Sequence, residues 1–200
     1  GSGDIELDSG VILSAGADNS SSSFAGVISG AGGFRKQGSG TLNFSGSNPN
    51  TYSGGTSVEG GTLQLSGGSG LADGSGLSVS SGAIFDLDLS DVIGSISGSG
   101  DIELASGVIL SAGADNSSSS FDGVISGTGD FSKVGTGSLS FGGSNLYSGS
   151  TTVSKGSLLV SGGLSDLSSV IVAADGIYGI AVDDQIGSIG GEGRIQLGAQ

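Results

Sequence analysis

The chain has 200 residues, of which 44 are Gly and 43 are Ser, yet 34% of residues are hydrophobic and mean hydropathy is +0.22, too apolar for a solvated low-complexity tail. Cys and His are both missing, which excludes disulfides, thiolate chemistry and a Ser-His-Asp triad, and removes the commonest transition-metal ligand. Nineteen acidic residues against five basic ones give a net charge of −14. Arg35, Lys36, Lys133, Lys155 and Arg194 are too few and scattered to follow a phosphate backbone, so neither nucleic acid nor an anionic membrane is an expected partner.

No apolar run approaches the roughly 18 residues of a membrane span, and no basic–apolar leader opens the chain. Membrane insertion by this segment is therefore not expected. The chain is expected to be either cytosolic or an excised piece of something larger, and its starting and stopping inside a repeat favours the excised piece.

Self-similarity dominates the sequence. Gly3–Gly30 returns at Gly100–Gly127 with only Asp8/Ala105 and Ala25/Asp122 changed. Asn48-Pro49-Asn50-Thr51-Tyr52 shortens to Asn145-Leu146-Tyr147, GTLQLSG at Gly61–Gly67 answers to GSLLVSG at Gly156–Gly162, and Ile93–Leu104 answers to Ile186–Leu197. The expected organisation is two tandem copies, 1–97 and 98–200, in one continuous solenoid.

Over 32–46 every second residue is identical to the residue 97 further on: Gly32, Phe34, Lys36, Gly38, Gly40, Leu42, Phe44 and Gly46 hold, while the seven between them change. A period of two is the strand period, with one face constrained and the other free. Strand-like segments starting at Thr41, Thr62 and Ala83 are 21 residues apart, and those at Ser138, Ser157 and Ile177 follow at 19 to 20. Short alternating strands, Gly/Ser/Asn/Asp turns and this step predict an all-β chain, a right-handed parallel β-helix of roughly ten coils with 19–21 residues each. Leu42, Phe44, Leu63, Leu65, Phe85 and Leu87 are the expected inward ladders. On that parity Leu63→Asp is damaging and Gln64→Asp nearly silent. The ten aromatics pair off between the copies (Phe24/Phe121, Phe34/Phe131, Phe44/Phe141, Tyr52/Tyr147 and Phe85/Tyr178) and are expected in the core.

The stretch Gly32–Leu65, GGFRKQGSGTLNFSGSNPNTYSGGTSVEGGTLQL, resembles the passenger-associated transport repeat, also called the autotransporter-associated β-strand repeat. Gly129–Val160 matches again after a two-residue deletion. The resemblance implies a bacterial type V secretion passenger, secreted or displayed at the cell surface after export through an outer-membrane barrel that is its partner in cis. That motif contains no catalytic residues. The expected role is a structural or adhesive stalk segment that assists folding and secretion, with no enzyme activity, no cofactor, no metal and a monomeric state. A host receptor or polysaccharide is left open as a partner. The alternatives are a carbohydrate-active β-helix, and a repeat of a giant surface protein that is not an autotransporter.

Individual side chains are weighed against that scaffold. Asp86, Asp88 and Asp91, with Asp183 and Asp184 at the matching place in the second copy, have neither an EF-hand nor a nonapeptide calcium pattern and read as a solvated face. Asp183-Asp184 is the adjacent acidic pair that a hydrolytic site would use. Lys36 and Lys133 share the parity of Phe34, so their stems should cover apolar surface while the ammonium meets corner carbonyls. The Asn-x-Ser patterns at Asn19, Asn43 and Asn116 are taken as coincidence. The loop Gly16–Phe24 is repeated unchanged at Gly113–Phe121. That repetition reads as recent duplication, or as one surface contact used twice about five coils apart.

Overall fold

Residues 1–198 are described in this computed structural model. They form 22 strands, β1 to β22 in chain order, and no helix. All the strand pairs are parallel. The strands stack into a β-solenoid of about ten turns, each turn carrying three faces.

One face stacks β2 (Ile12–Ala15), β5 (Gly33–Lys36), β7 (Thr56–Val58), β9 (Leu77–Val79), β12 (Ile96–Gly98), β15 (Ser119–Phe121) and β18 (Ser138–Phe141). The C-terminal halves of the long strands β19 (Thr151–Val160) and β20 (Ser169–Ile180), then β22 (Arg194–Leu197), complete it. We call this face B. Face C follows it in each turn and stacks β3 (Ser22–Phe24), β6 (Thr41–Phe44), β8 (Gly61–Leu65), β10 (Ala83–Leu87), β13 (Asp101–Leu104) and β16 (Val124–Gly127). Face A holds β1 (Ile5–Leu7) and β4 (Ile28–Gly30), then β11 (Asp91–Ile93), β14 (Ile109–Ala112) and β17 (Asp130–Lys133), and finally the N-terminal halves of β19 and β20 and β21 (Ser188–Gly191).

The inward ladders lie where alternation puts them. On face C, Leu42, Leu63, Phe85, Ile102 and Ile125 are successive partners, and beside them Phe44, Leu65, Leu87 and Leu104. All nine are buried, and Phe34 meets Phe44 edge-on at 5.0 Å, as Phe131 meets Phe141 at 4.9 Å. Among the aromatics, Phe24 in the first turn is only half-buried.

Coil length is less regular than the sequence suggests. Thr62 pairs with Ile84, not with Ala83, so that step is 22 residues rather than 21. A one-residue slip would have turned Phe85 and Leu87 outward. Pairing offsets run from 17 (Ile84 to Asp101) to 23 (Asp101 to Val124). The corners absorb the difference, because only the strands must stay in register. At two equivalent corners Gly38 and Gly135 have φ of +68° and +66°, and a Cβ on either would stand 2.0 Å from the carbonyl oxygen of Gly16 or Gly113 in the preceding coil. Glycine is required there on both counts.

Pairing is unbroken across the junction of the two copies: Asp86 faces Glu103, and Val92 faces Ser111. Yet the copies do not occupy the same faces. Ile12–Ala15 lies on face B, whereas the identical ILSA at Ile109–Ala112 lies on face A. Between them the chain completes four turns and two of the three faces of a fifth. The second copy is therefore laid down one face round from the first.

Candidate functional site

Of the polar residues singled out by the sequence, Lys36, Lys133, Asp91, Asp184, Asn19 and Asn116 hold main-chain groups of a neighbouring coil. Lys36 and Lys133 are wholly buried at the ends of β5 and β17. Lys36 Nζ donates to the carbonyls of Gln37 (2.7 Å), Gly38 (2.9 Å) and, one coil on, Gly60 (2.9 Å). Lys133 Nζ repeats this with Val134, Gly135 (3.0 Å) and Lys155 (3.3 Å). All three ammonium donors are used, and the expectation of apolar stem and corner carbonyls holds. Burial pulls both lysines below their ordinary pKa; for Lys133 the Asp115 carboxylate opposes it.

Side-chain oxygens do the converse job. Asn50 Oδ1 accepts from Ile28 N (2.9 Å) while its Nδ2 donates to Gly70 O (2.9 Å), and Asn145 Oδ1 accepts from Ile125 N (3.3 Å). Asp91 accepts from Leu71 N (3.0 Å), Asp115 from Ser95 N (3.1 Å) and Asp184 from Leu164 N (3.1 Å). Each stands in for a carbonyl that the ladder lacks where a corner interrupts it, and so satisfies a main-chain N–H that the ladder leaves unpaired.

This corrects the reading of the acidic run. Asp91 is buried, 7% exposed, and not on a solvated face. Burial pushes its carboxyl up to about 6, against the hydrogen bonds from Leu71 and Val92. Asp86 is half-buried and Asp88 exposed, and Gln64 Nε2 donates to both at 3.0 Å. Burial and then the neighbouring Asp88 and Glu103 raise the Asp86 pKa, with Gln64 lowering it. Gln64 is thus a neutral bridge inside an outward carboxylate ladder. Gln64→Asp would set like charges opposite one another, so it is not silent.

The repeated loop is also structural. Asn19 and Asn116 are the two non-glycine residues with positive φ, 63° and 60°, among the described residues. Asn19 Oδ1 accepts from Ser39 N (2.9 Å) and Ser21 Oγ from Thr41 N (3.0 Å). Asn116 and Ser118 do the same for Thr136 and Ser138 (both 3.0 Å). Asp18 is held below its usual pKa by Ser20, through side chain and backbone. For Asp115 burial pulls upward, but bonds from Ser117 and Ser95 outweigh it. The two loops occupy different corners, B-to-C for Gly16–Ser21 and A-to-B for Gly113–Ser118. They are not one contact used twice on one side.

Asp183 is exposed while Asp184 is half-buried and accepts from the Leu164 amide. The pair borders a depression with Ile180, Val182 and Leu197, where no basic residue lies. No cluster of three or more Asp and Glu suited to a metal occurs among the described residues. Tyr52 and Tyr147 spend their hydroxyls on Thr56 and Thr151 inside the core. Reading the sequence missed the corner roles of Asn50, Asn145, Asp91 and Asn19. The usable signal was that Asn stays two residues before Tyr52 and Tyr147 although the loop between copies shortens.

Residues 34–65 and 131–160 match the family model described as passenger-associated-transport-repeat. Over 142 residues, 68% of this chain, the sequence is 38% identical to the "Adhesin BmaC autotransporter" of Brucella suis biovar 1 (strain 1330). The chain spans 4% of that protein's length. No solved structure matches it.

Proposed function

From the premise that this chain is autotransporter passenger material with two passenger-associated-transport repeats, we propose that it is a stalk segment of an adhesin at a bacterial cell surface. In this reading it helps the passenger fold and leave the cell, and it catalyses nothing. The observation that carries the proposal is where the ionisable groups go. Lys36, Lys133, Asp91, Asp115 and Asp184 are all committed to main-chain groups of the scaffold, whereas a catalytic centre needs tuned groups converging on open space.

Each coil forms on its neighbour through contacts some 20 residues apart, which suits folding outside the cell with no energy source. The matched relative is named an adhesin, and the outward surface of this chain, polar and net acidic, is what an adhesive role would use. The outer-membrane barrel is the expected partner in cis, and the segment is expected to be monomeric. The two copies serve as two equivalent modules of one rod.

Surface display of the parent protein tests this. Deleting Gly32–Leu65 should impair export or surface folding, while deleting Asn19–Ser22 alone should leave export intact. Normal display without Gly32–Leu65 removes the transport role. Cleavage of a polysaccharide by the fragment, abolished by Asp183→Asn or Asp184→Asn, replaces the scaffold with an enzyme.

A further inference from the structure

We infer that the outward surface of each copy is presented in rotation, one face further round the rod per copy, so that a tandem array offers the same surface on every side. The inference rests on the adhesive reading above for its use, but its geometry is independent of it. Residues 97 apart are related by four turns and two-thirds of a fifth, as the pairings of Ile12–Ala15 on face B and Ile109–Ala112 on face A fix. Phe34 and Lys36 on face B return as Phe131 and Lys133 on face A, and Phe44 on face C returns as Phe141 on face B.

The loops follow the same roll. Their tips, Asp18 to Ser20 and Asp115 to Ser117, are exposed on different corners. At about 4.8 Å per turn they lie roughly 22 Å apart along the axis. A third copy of this length would bring the loop to the remaining corner and a fourth back to the first. That period is fourteen turns, roughly 67 Å.

A rod built this way fits a multivalent partner whose units are engaged one copy at a time from several sides. A rigid, flat partner could not touch equivalent residues of adjacent copies at once. The fold tolerates the roll because all three faces require the same thing of a strand, apolar residues at inward parity; Leu13, Leu110 and their neighbours satisfy it on faces B and A alike.

The test counts antibody fragments. A Fab selected on the shared GADNSSSS loop is added in excess to the 200-residue chain, to Ser20→Lys and to Ser117→Lys, and stoichiometry is read by native mass spectrometry. A standard footprint of about 800 Å² per partner is roughly 28 Å across, wider than the 22 Å spacing, so two Fabs cannot share one side. The expected result is two Fabs on the parent chain and one on each variant. One Fab on all three places the loops on one side and overturns the roll. None on either variant shows that the remaining loop is not presented, which overturns it too. Two Fabs on a rod that supports no adhesion refutes the adhesive reading and leaves the geometry standing.

Discussion

The two copies carry nearly the same residues on different faces of one solenoid, and the contrast separates what travels with the sequence from what the position supplies. Lys36 and Lys133 make the same three carbonyl contacts, one at a B-to-C corner and the other at an A-to-B corner. Asn19 and Asn116 adopt the same positive φ and hold the same amide of the next coil. The faces themselves impose no chemistry beyond inward parity, so a corner and its stitches can be laid down wherever the count of residues brings them. Where the copies do differ, the outward neighbours decide: Gln64 sits against Asp86 and Asp88, whereas its counterpart Leu159 lies between Ser140 and Gly179.

The largest expected effect should be equal in both copies. Leu63→Asp and Leu158→Asp each put a charge into a fully buried ladder at a cost of several kcal/mol, and both should abolish the folded circular-dichroism signal. A large loss at one and not the other would break the equivalence of faces.

Asp91 and Asp184 sharpen the contrast, since both cap an amide 20 residues back but only Asp91 is buried. Its pKa of about 6 lies above the ordinary 3.8. Its ionised form is therefore disfavoured by folding, and its contribution is fully present below pH 3.8 and lost as pH rises through 6. The chain should melt higher at pH 5 than at pH 7, with Asp91 contributing on the order of 2 to 3 kcal/mol across the whole range at most. Asp91→Asn keeps an acceptor for Leu71 without the charge. It should melt at or above the parent at pH 7 and flatten the rise toward pH 5. Thermal melts at pH 4, 5, 6 and 7 decide it.

Lys36→Met and Lys133→Met fill the same space but leave three corner carbonyls without donors. Each should cost about 1–3 kcal/mol by chemical denaturation, the same in both copies. Smallest is the outward pair: Gln64→Asp should lose about 0.5–1 kcal/mol, reduced by salt, whereas Leu159→Asp is within about 0.5 kcal/mol of the parent.

The faces were legible in the sequence because strand alternation is local: identity at every second residue over 32–46 exposes Phe34, Lys36, Leu42 and Phe44 as inward without any partner being known. The corners were not. Asp91 belongs with Leu71, and Asn50 with Ile28 and Gly70, contacts about 20 residues apart whose offset drifts from 17 to 23 as corners lengthen and shorten. A fixed period of 21 misplaces Ala83 by one residue, and grouping Asp91 with Asp86 and Asp88 as one acidic run hides that it has the inward parity of Phe85 and Leu87. The roll between copies was hidden for the same reason, because counting 97 residues as about five coils rounds away a third of a turn.

The central claim is that the second copy continues the first as one solenoid, one face round, and cysteine pairs can test it because the chain has none of its own. Val92 and Ser111 are direct partners across the junction on face A, with outward side chains. Adjacent parallel strands lie about 4.8 Å apart, within the Cα separation a disulfide accepts. Val92→Cys/Ser111→Cys should therefore cross-link within the chain on mild oxidation, and Ser97→Cys/Ser111→Cys should not. Without the roll, Ser111 would lie on face B, where its counterpart Ser14 lies, stacked on Ser97. Cross-linking of the Ser97 pair in place of the Val92 pair would contradict the account.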